Sequence, residues 1–517
     1  MISDLRVEPA AGCIPGAAPV TPHSLFASLS DATAPISVSI VKASEVPPHD
    51  TSPARVVSLD GEWRRRAMPD DPLHLPLGCD FDDSAWDRVF VPNNYGLEPS
   101  LSAHFGPVYY RRRIAPFDAP RVRLCFDSID YLADVWLDDR HLGHHEGCFA
   151  PFTFDVTGAI TASSVVTIRV QDPYEDWSPA ETFFAHAKRA IKGTLKYHDS
   201  RPGGLPGLHT PGWTARTAQS MTTGGITGSV RLASTGDVRI DALFATPLDV
   251  AAGAIHLAII LTNCAAQPLD STVLIQIRSL SDPREIFQAA AAASLRPGAN
   301  RIDLRASVPN PRLWWPASHR DLGAPALYEL DVRVISADSL SDHRATRFGI
   351  RVARVDRDPR RFVVNGRPIF VQAANYIGRQ HFADVDVEFY RRDMRLAAAA
   401  HLNSFGVHGH LQPHACYDAA DEEGILIFQD FALQWHYDSG RDTNPGFIDI
   451  ASRQITEMAY TYWNHPSIVY WACHNEPTAM FIPDRPADES RDPDNQVLDE
   501  ALERALSAVE PMRHIHR

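Results

Sequence analysis

The sequence has few cysteines and none in close pairs. Its seven, Cys13, Cys79, Cys125, Cys148, Cys264, Cys416 and Cys473, are scattered through 517 residues with no CxxC and no Cys/His metal spacing. That argues against a zinc ribbon or a disulfide framework and predicts reduced thiols in the cytoplasm. No run of about 18 apolar residues occurs, so no spanning helix and no membrane partner are expected. The opening MISDLRVEPAAGCIPG lacks a basic segment followed by an apolar one, so no signal peptide is expected. A periplasmic location stays open if the true N-terminus differs. A basic tract is also missing: 49 Lys and Arg stand against 64 Asp and Glu, a net charge of −15. This excludes nucleic acid as an expected partner. No serine nucleophile elbow, phosphate loop or dinucleotide fingerprint sits at a strand-to-helix junction, so no cofactor is expected.

What is present is ordinary globular material, 44% hydrophobic and 22% charged, long enough for about three domains. Residues 1–55 are rich in Pro, Ala and Ser without a sustained period and predict an irregular N-terminal arm. Residues 56–235 carry short strands with turn signals and predict a jelly-roll-like β-sandwich, interrupted by a polar and aromatic insertion after Asp176. Residues 236–352 predict an immunoglobulin-like β-sandwich.

At Phe362 the pattern changes to alternating strands and helices. Strands are expected at Phe370–Ala373, Ser404–Val407, Ile425–Gln429 and Ile468–Ala472. Helices are expected at Glu388–Ala400, Ala415–Glu423, Phe447–Asn464 and Asn495–Val509. Four β/α units predict, for 353–517, the first half of a (β/α)8 TIM barrel, stopping before the fifth strand. Its open edges favour association, with another copy of the chain or with a partner chain that completes the barrel.

In such a barrel, reactive groups sit where strands end. The fourth strand ends in Trp471-Ala-Cys-His-Asn475-Glu476-Pro. A carboxylate there is costly to bury unless paired, and a raised proton affinity suits a general acid. Glu476 is therefore the candidate acid, with Asn475 and Trp471 beside it. The alternative for Glu476 is a plain surface carboxylate. The third strand offers Asp430 for sugar hydroxyls and Trp435 as a stacking wall, or simply barrel-top packing. The second strand offers His408, with His410 two residues on. Two histidines without a carboxylate at ligand spacing make a weak metal signal, so no metal is expected. The first strand offers Asn375. Carboxylates with aromatic walls suit glycoside hydrolysis.

These residues resemble glycoside hydrolase family 2, the group of β-galactosidases, β-glucuronidases and β-mannosidases. The resemblance runs through Leu59-Asp-Gly-Glu-Trp63, Gly147-Cys-Phe-Ala-Pro-Phe152, Leu313-Trp-Trp-Pro316, Phe348-Gly-Ile-Arg351, Asn464-His-Pro-Ser467 and Asn475-Glu476-Pro. Trp-Trp-Pro and Gln429-Asp430-Phe431 are similar to the β-mannosidase branch. The resemblance implies a retaining exo-β-glycosidase acting on a β-linked glycoside, with Glu476 as acid/base and Asn475 as a ligand of the sugar 2-hydroxyl. It implies a second Glu as nucleophile on a later strand, outside this sequence. Two departures stand out. The second strand reads Asn403-Ser-Phe-Gly406 where the family has Asn-x-x-Arg, and Thr227 stands where an aromatic is common. They leave room for a second reading, a non-catalytic carbohydrate-binding chain or a subunit of a split glycosidase.

Overall fold

The computed structural model describes residues 19–24, 38–41, 55–68, 78–101, 104, 106–171, 224–282, 286–358, 360–379, 383, 386–433, 445–475, 493–510 and 512–517. The insertion after Asp176 lies outside them, as do Glu476 and Trp435.

The first sandwich packs a six-stranded sheet against a four-stranded one. Gly61–Ala67, Val108–Arg113, Leu132–Leu137 and Val165–Gln171 belong to the larger sheet, Arg121–Phe126, Phe152–Asp155 and Val230–Thr235 to the smaller. Alternating residues of each strand point between the sheets. Trp63, Val135, Ile168, Leu124 and Phe152 thereby form one buried core. Trp63 is 1% exposed, and its indole N–H donates to the Leu59 carbonyl at 2.8 Å. Gly61 permits that return of the chain with a φ of +110°.

The second sandwich pairs a five-stranded sheet with a three-stranded one. One of its strands corrects a sequence expectation. The arm assigned as irregular contributes Val38–Val41, antiparallel to Ile286–Leu295. Its Val-Ser-Ile-Val alternation is short and hidden by the surrounding composition. Upstream, Val20 bridges Thr153, and His23 Nδ1 lies 3.0 Å from Thr456 Oγ1. Ile286–Leu295 itself reads IFQAAAAASL, a helix-forming composition. Alternate small side chains pack inside the sandwich, where Ala291 and Ala293 are buried, and tertiary packing overrides propensity.

A small antiparallel sheet, Ala353–Arg357, Arg360–Val364 and Arg367–Ile369, leads into the parallel sheet. The units of that sheet are β1 (Ala373–Tyr376), α1 (Val387–Ala399), β2 (Ser404–Val407), α2 (His414–Glu423), β3 (Leu426–Asp430), α3 (Pro445–Thr461), β4 (Ile468–Ala472), α4 (Pro493–Val509) and β5 (His514–His516). All neighbouring pairs are parallel. The fifth strand corrects the expectation that the chain stops before it. A three-residue His-Ile-His carries too little pattern to read, but its register against Tyr470 and Ala472 is regular. The first strand also starts three residues later than expected, and Phe370 is 80% exposed.

Local signals set the helices. Asp386 caps α1 by accepting from the amides of Glu388 and Phe389, and Gly424 ends α2 in the left-handed region. The helices pack their apolar faces on the outer side of the sheet, where Met394, Tyr417, Ile455 and Leu502 share a core with Ile427 and Trp471.

Candidate active site

Register decides which residues face the concave side. Asn375 pairs with Gly406, Gly406 with Phe428, Phe428 with Tyr470, and Tyr470 with His514. Phe428 and Tyr470 pack as a tilted pair, their rings 5.3 Å apart, and Tyr470 continues to His514 at 5.1 Å. The inward row therefore includes Asn375, Gly406, Phe428, Tyr470 and His514. One level nearer the strand ends lie Asp430, Ala472 and His516. Side-chain alternation adds His408, just past β2, to that rim.

The rim is knit by the chain. The Gly409 amide donates to Asp430 Oδ2 at 3.0 Å, fixing the carboxylate against the β2–α2 turn. The Asn475 amide donates to the Leu433 carbonyl at 2.9 Å, and the Cys473 amide to the His516 carbonyl at 2.8 Å. Beneath lies Gln429, fully buried. Its Nε2 donates to the carbonyls of His410 at 2.8 Å and Asp430 at 2.7 Å, and its Oε1 accepts the Tyr417 hydroxyl at 2.6 Å. Burial, with the Asp430 charge second, pushes the Tyr470 hydroxyl up to about 12, so it stays protonated at neutral pH and keeps a proton to donate. Burial likewise pushes the Cys473 thiol up to about 12, an unreactive thiol.

Four expected residues thus converge: Asn375, His408, Asp430 and Asn475. Asn475 is 9% exposed, and its Nδ2 has no hydrogen-bond partner among the described residues. Such an amide needs an acceptor. Trp471 is a correction. It pairs with Gln429, which faces Tyr417 on α2, so it points outward. It is fully buried among Leu498, Leu502 and Leu506, and its indole donates to Glu510 Oε2 at 3.2 Å. Glu476 and Trp435 fall outside the described residues. Reasoning from sequence missed Tyr470, His514 and His516 on the concave side; the period-2 alternation of β4 already carried the signal for Tyr470.

Several family-like motifs prove to be joints between domains. Trp314 is fully buried and donates to the Asp421 carbonyl at 2.9 Å. Asn464 Nδ2 donates to the Leu243 carbonyl at 2.7 Å, while its Oδ1 accepts the Ala245 amide at 3.0 Å. Where the family has an arginine, Gly406 stands with the Asn375 Oδ1 3.3 Å from the place of a Cβ. His408 and His410 join no three-residue metal-ligand group among the described residues. Asp418, Asp421 and His465 do, within 4.8 Å. Their charges are already met, since Asp421 holds His465 at 2.6 Å and the Ser467 amide at 2.9 Å, and Asp418 pairs with Arg347.

Comparison with known proteins decides the family. Residues 108–202 match the glycosyl hydrolase 2 galactose-binding domain-like model, 238–351 the glycosyl hydrolases family 2 model, and 355–497 its TIM barrel domain. The chain belongs to glycoside hydrolase family 2. It is 24% identical to rat (Rattus norvegicus) beta-glucuronidase over 84% of this chain and 62% of that protein. It is 22% identical to rat beta-mannosidase over 69% of this chain and 41% of that one. Among solved structures, a Bacteroides uniformis beta-glucuronidase superposes with a TM-score of 0.70 at 19% identity, covering 89% of this chain and 52% of that one. A beta-D-mannosidase from Dictyoglomus thermophilum gives 0.66 at 18%, over 89% and 57%. The chain spans 62% and 41% of the length of these two curated relatives. No described helix is long and apolar enough to cross a membrane.

Proposed function

We propose that this family 2 chain forms the acid/base half of a retaining exo-β-glycosidase active site, with Glu476 as the proton donor. The observation that carries the reading is that Asn375 in the inner row, His408 and Asp430 on the rim, and the Asn475 side-chain amide, which has no hydrogen-bond partner among the described residues, gather at one end of a parallel sheet. One peptide unit, about 3.8 Å between Cα atoms, joins Asn475 to Glu476. Glu476 protonates the glycosidic oxygen while a nucleophile attacks the anomeric carbon, and then acts as base toward water. Asp430 and His408 hold hydroxyls, Asn475 holds the 2-hydroxyl, and Trp435 supplies a stacking face.

Asp430 is the one carboxylate among the inward-facing residues of β1–β5, and it is tied to Gly409. The resemblance to family 2 implies a second Glu on a later strand as the nucleophile, and we take it to be supplied from the same polypeptide or from a partner chain or second copy that closes the sheet. The inward positions of β1–β5 hold no Lys or Arg to meet a uronate, which favours a neutral hexoside, mannoside first, over a glucuronide. The cytoplasm is the proposed location.

Incubation with 4-nitrophenyl β-mannoside, β-galactoside and β-glucuronide tests this, using the chain alone and mixed with the product encoded directly downstream. Turnover on completion of the sheet, with the β-anomer released first by proton NMR, supports the reading. Sugar binding without turnover in every combination would replace it with a non-catalytic carbohydrate-binding role.

A further inference from the structure

On the side of the sheet away from the rim, a small open cleft of about 40 Å³ lies between the second sandwich and the segments leading into β4 and β5. Arg351, Trp463, Asn464, Glu510, Met512 and Arg513 line it, two cations against one carboxylate. Its charge is unusual for an acidic chain. Arg351 is 8% exposed. Its Nε donates to the Pro466 carbonyl at 2.8 Å and its Nη2 to the Ile468 carbonyl. Its Nη1 has no hydrogen bond to any described residue, and no carboxylate contacts the guanidinium among them.

The neighbouring charges do not resolve this. Arg513 is spent on the carbonyls of Ile468 and Trp463 and on Glu510. Glu510 is fully used in turn, with Oε1 taking the amides of Met512 and Arg513, and Oε2 taking Trp471 and Arg513. Asp421 is held by His465 and Ser467. Burial and then the like charge of Arg513 pull Arg351 down to about 9, with Glu510 and Asp421 offsetting this only from a distance. At neutral pH the guanidinium stays charged and largely buried, with Nη1 still open to solvent and no carboxylate in contact among the described residues, so a counter-charge entering the cleft is favoured.

We infer that this cleft binds a small tetrahedral oxyanion, phosphate or sulfate, on Arg351 Nη1. A planar guanidinium with one free edge suits an oxyanion oxygen, and the open cleft leaves room for the rest of the ion toward solvent. The site joins the sandwich to the β4 and β5 lead-ins, so its occupancy clamps the two domains. The inference does not depend on the glycosidase reading.

The test is thermal unfolding and isothermal titration of the full chain with inorganic phosphate, with sulfate, and with chloride at matched ionic strength. The expected result is a saturable rise in Tm with phosphate or sulfate that chloride does not reproduce. Arg351→Gln removes the cation but also strips two carbonyls of their donor, so Met512→Glu is the companion variant. Met512 is 37% exposed at the cleft mouth, and a carboxylate there competes for Arg351 without disturbing the core. Met512→Glu is expected to weaken phosphate binding at least about tenfold while keeping the wild-type Tm or raising it. Equal stabilisation by chloride, or undiminished phosphate binding in folded Met512→Glu, overturns the inference.

Discussion

Replacing Gln429 with Leu removes the polar anchor beneath the rim while keeping side-chain bulk. The wild-type amide is fully buried and makes three hydrogen bonds, to Tyr417 at 2.6 Å, His410 at 2.8 Å and Asp430 at 2.7 Å. Leu satisfies none of them. Two carbonyls lose a donor and the Tyr417 proton loses its acceptor in a region water does not reach. A net contribution near 1 kcal/mol per bond, with a penalty for each orphaned group, sums to about 3–5 kcal/mol. The packing change adds little because the volumes are similar. In urea, a slope of about 2 kcal/mol/M moves the midpoint of the barrel transition down by about 2 M, followed by tryptophan fluorescence. Tyr417→Phe, which removes one of the three bonds and also the acceptor of the buried Gln412 amide, should cost about 2–3 kcal/mol. The double variant should fall short of the sum, because the two changes delete the same bond. A loss below about 1 kcal/mol for Gln429→Leu, or strict additivity, refutes the claim that Gln429 anchors the rim.

Trp471→Ala should destabilise by about 3–5 kcal/mol through the cavity left under α4, while Trp471→Phe, losing chiefly the bond to Glu510, should cost far less; glycoside affinity should be unchanged in Trp471→Phe, as measured by titration calorimetry. Burial raises the carboxyl of Glu457 above its ordinary value, against the partial opposition of Arg453. The folded state then binds the proton more tightly than the unfolded chain, so this contribution is largest at low pH and is lost as pH rises from about 4.5 through the folded value. Chemical denaturation between pH 4 and 8 should show the balance between wild type and Glu457→Gln moving toward the variant as pH rises. Gly406→Ala should change stability by less than about 1 kcal/mol in the same assay, because the exposed Asn375 amide yields to the new methyl and glycine in a strand is itself unfavourable.

Much of this arrangement was readable before the coordinates. The β/α alternation from Ser404 to Val509 reflects strong local periods, and β2 and β4 begin and end where expected. Ile286–Leu295 was not readable, because five alanines favour helix until two neighbouring strands claim them. Nor was His514–His516, whose strand character comes from pairing with β4. Site residues followed the same division. Asn375, Asp430 and Asn475 lie at strand ends, where the barrel rule looks. Trp471 was misassigned because aromatic character was weighed without alternation, and one step of register turns a sugar-facing indole into a core indole. The runs around Trp314, Arg351 and Asn464 carried the family resemblance, yet they hold domains together.

The central claim is that Glu476 delivers the proton to the leaving oxygen. The direct measurement is kcat/KM for aryl β-glycosides of graded leaving-group acidity, with wild type and Glu476→Gln in the completed enzyme. Loss of a general acid costs about 10²–10⁴-fold where the leaving group needs a proton. The account predicts that loss for the phenyl and methyl glycosides and a far smaller one for the 2,4-dinitrophenyl glycoside, whose phenolate departs unaided. An equal loss across the series, or none, would contradict it.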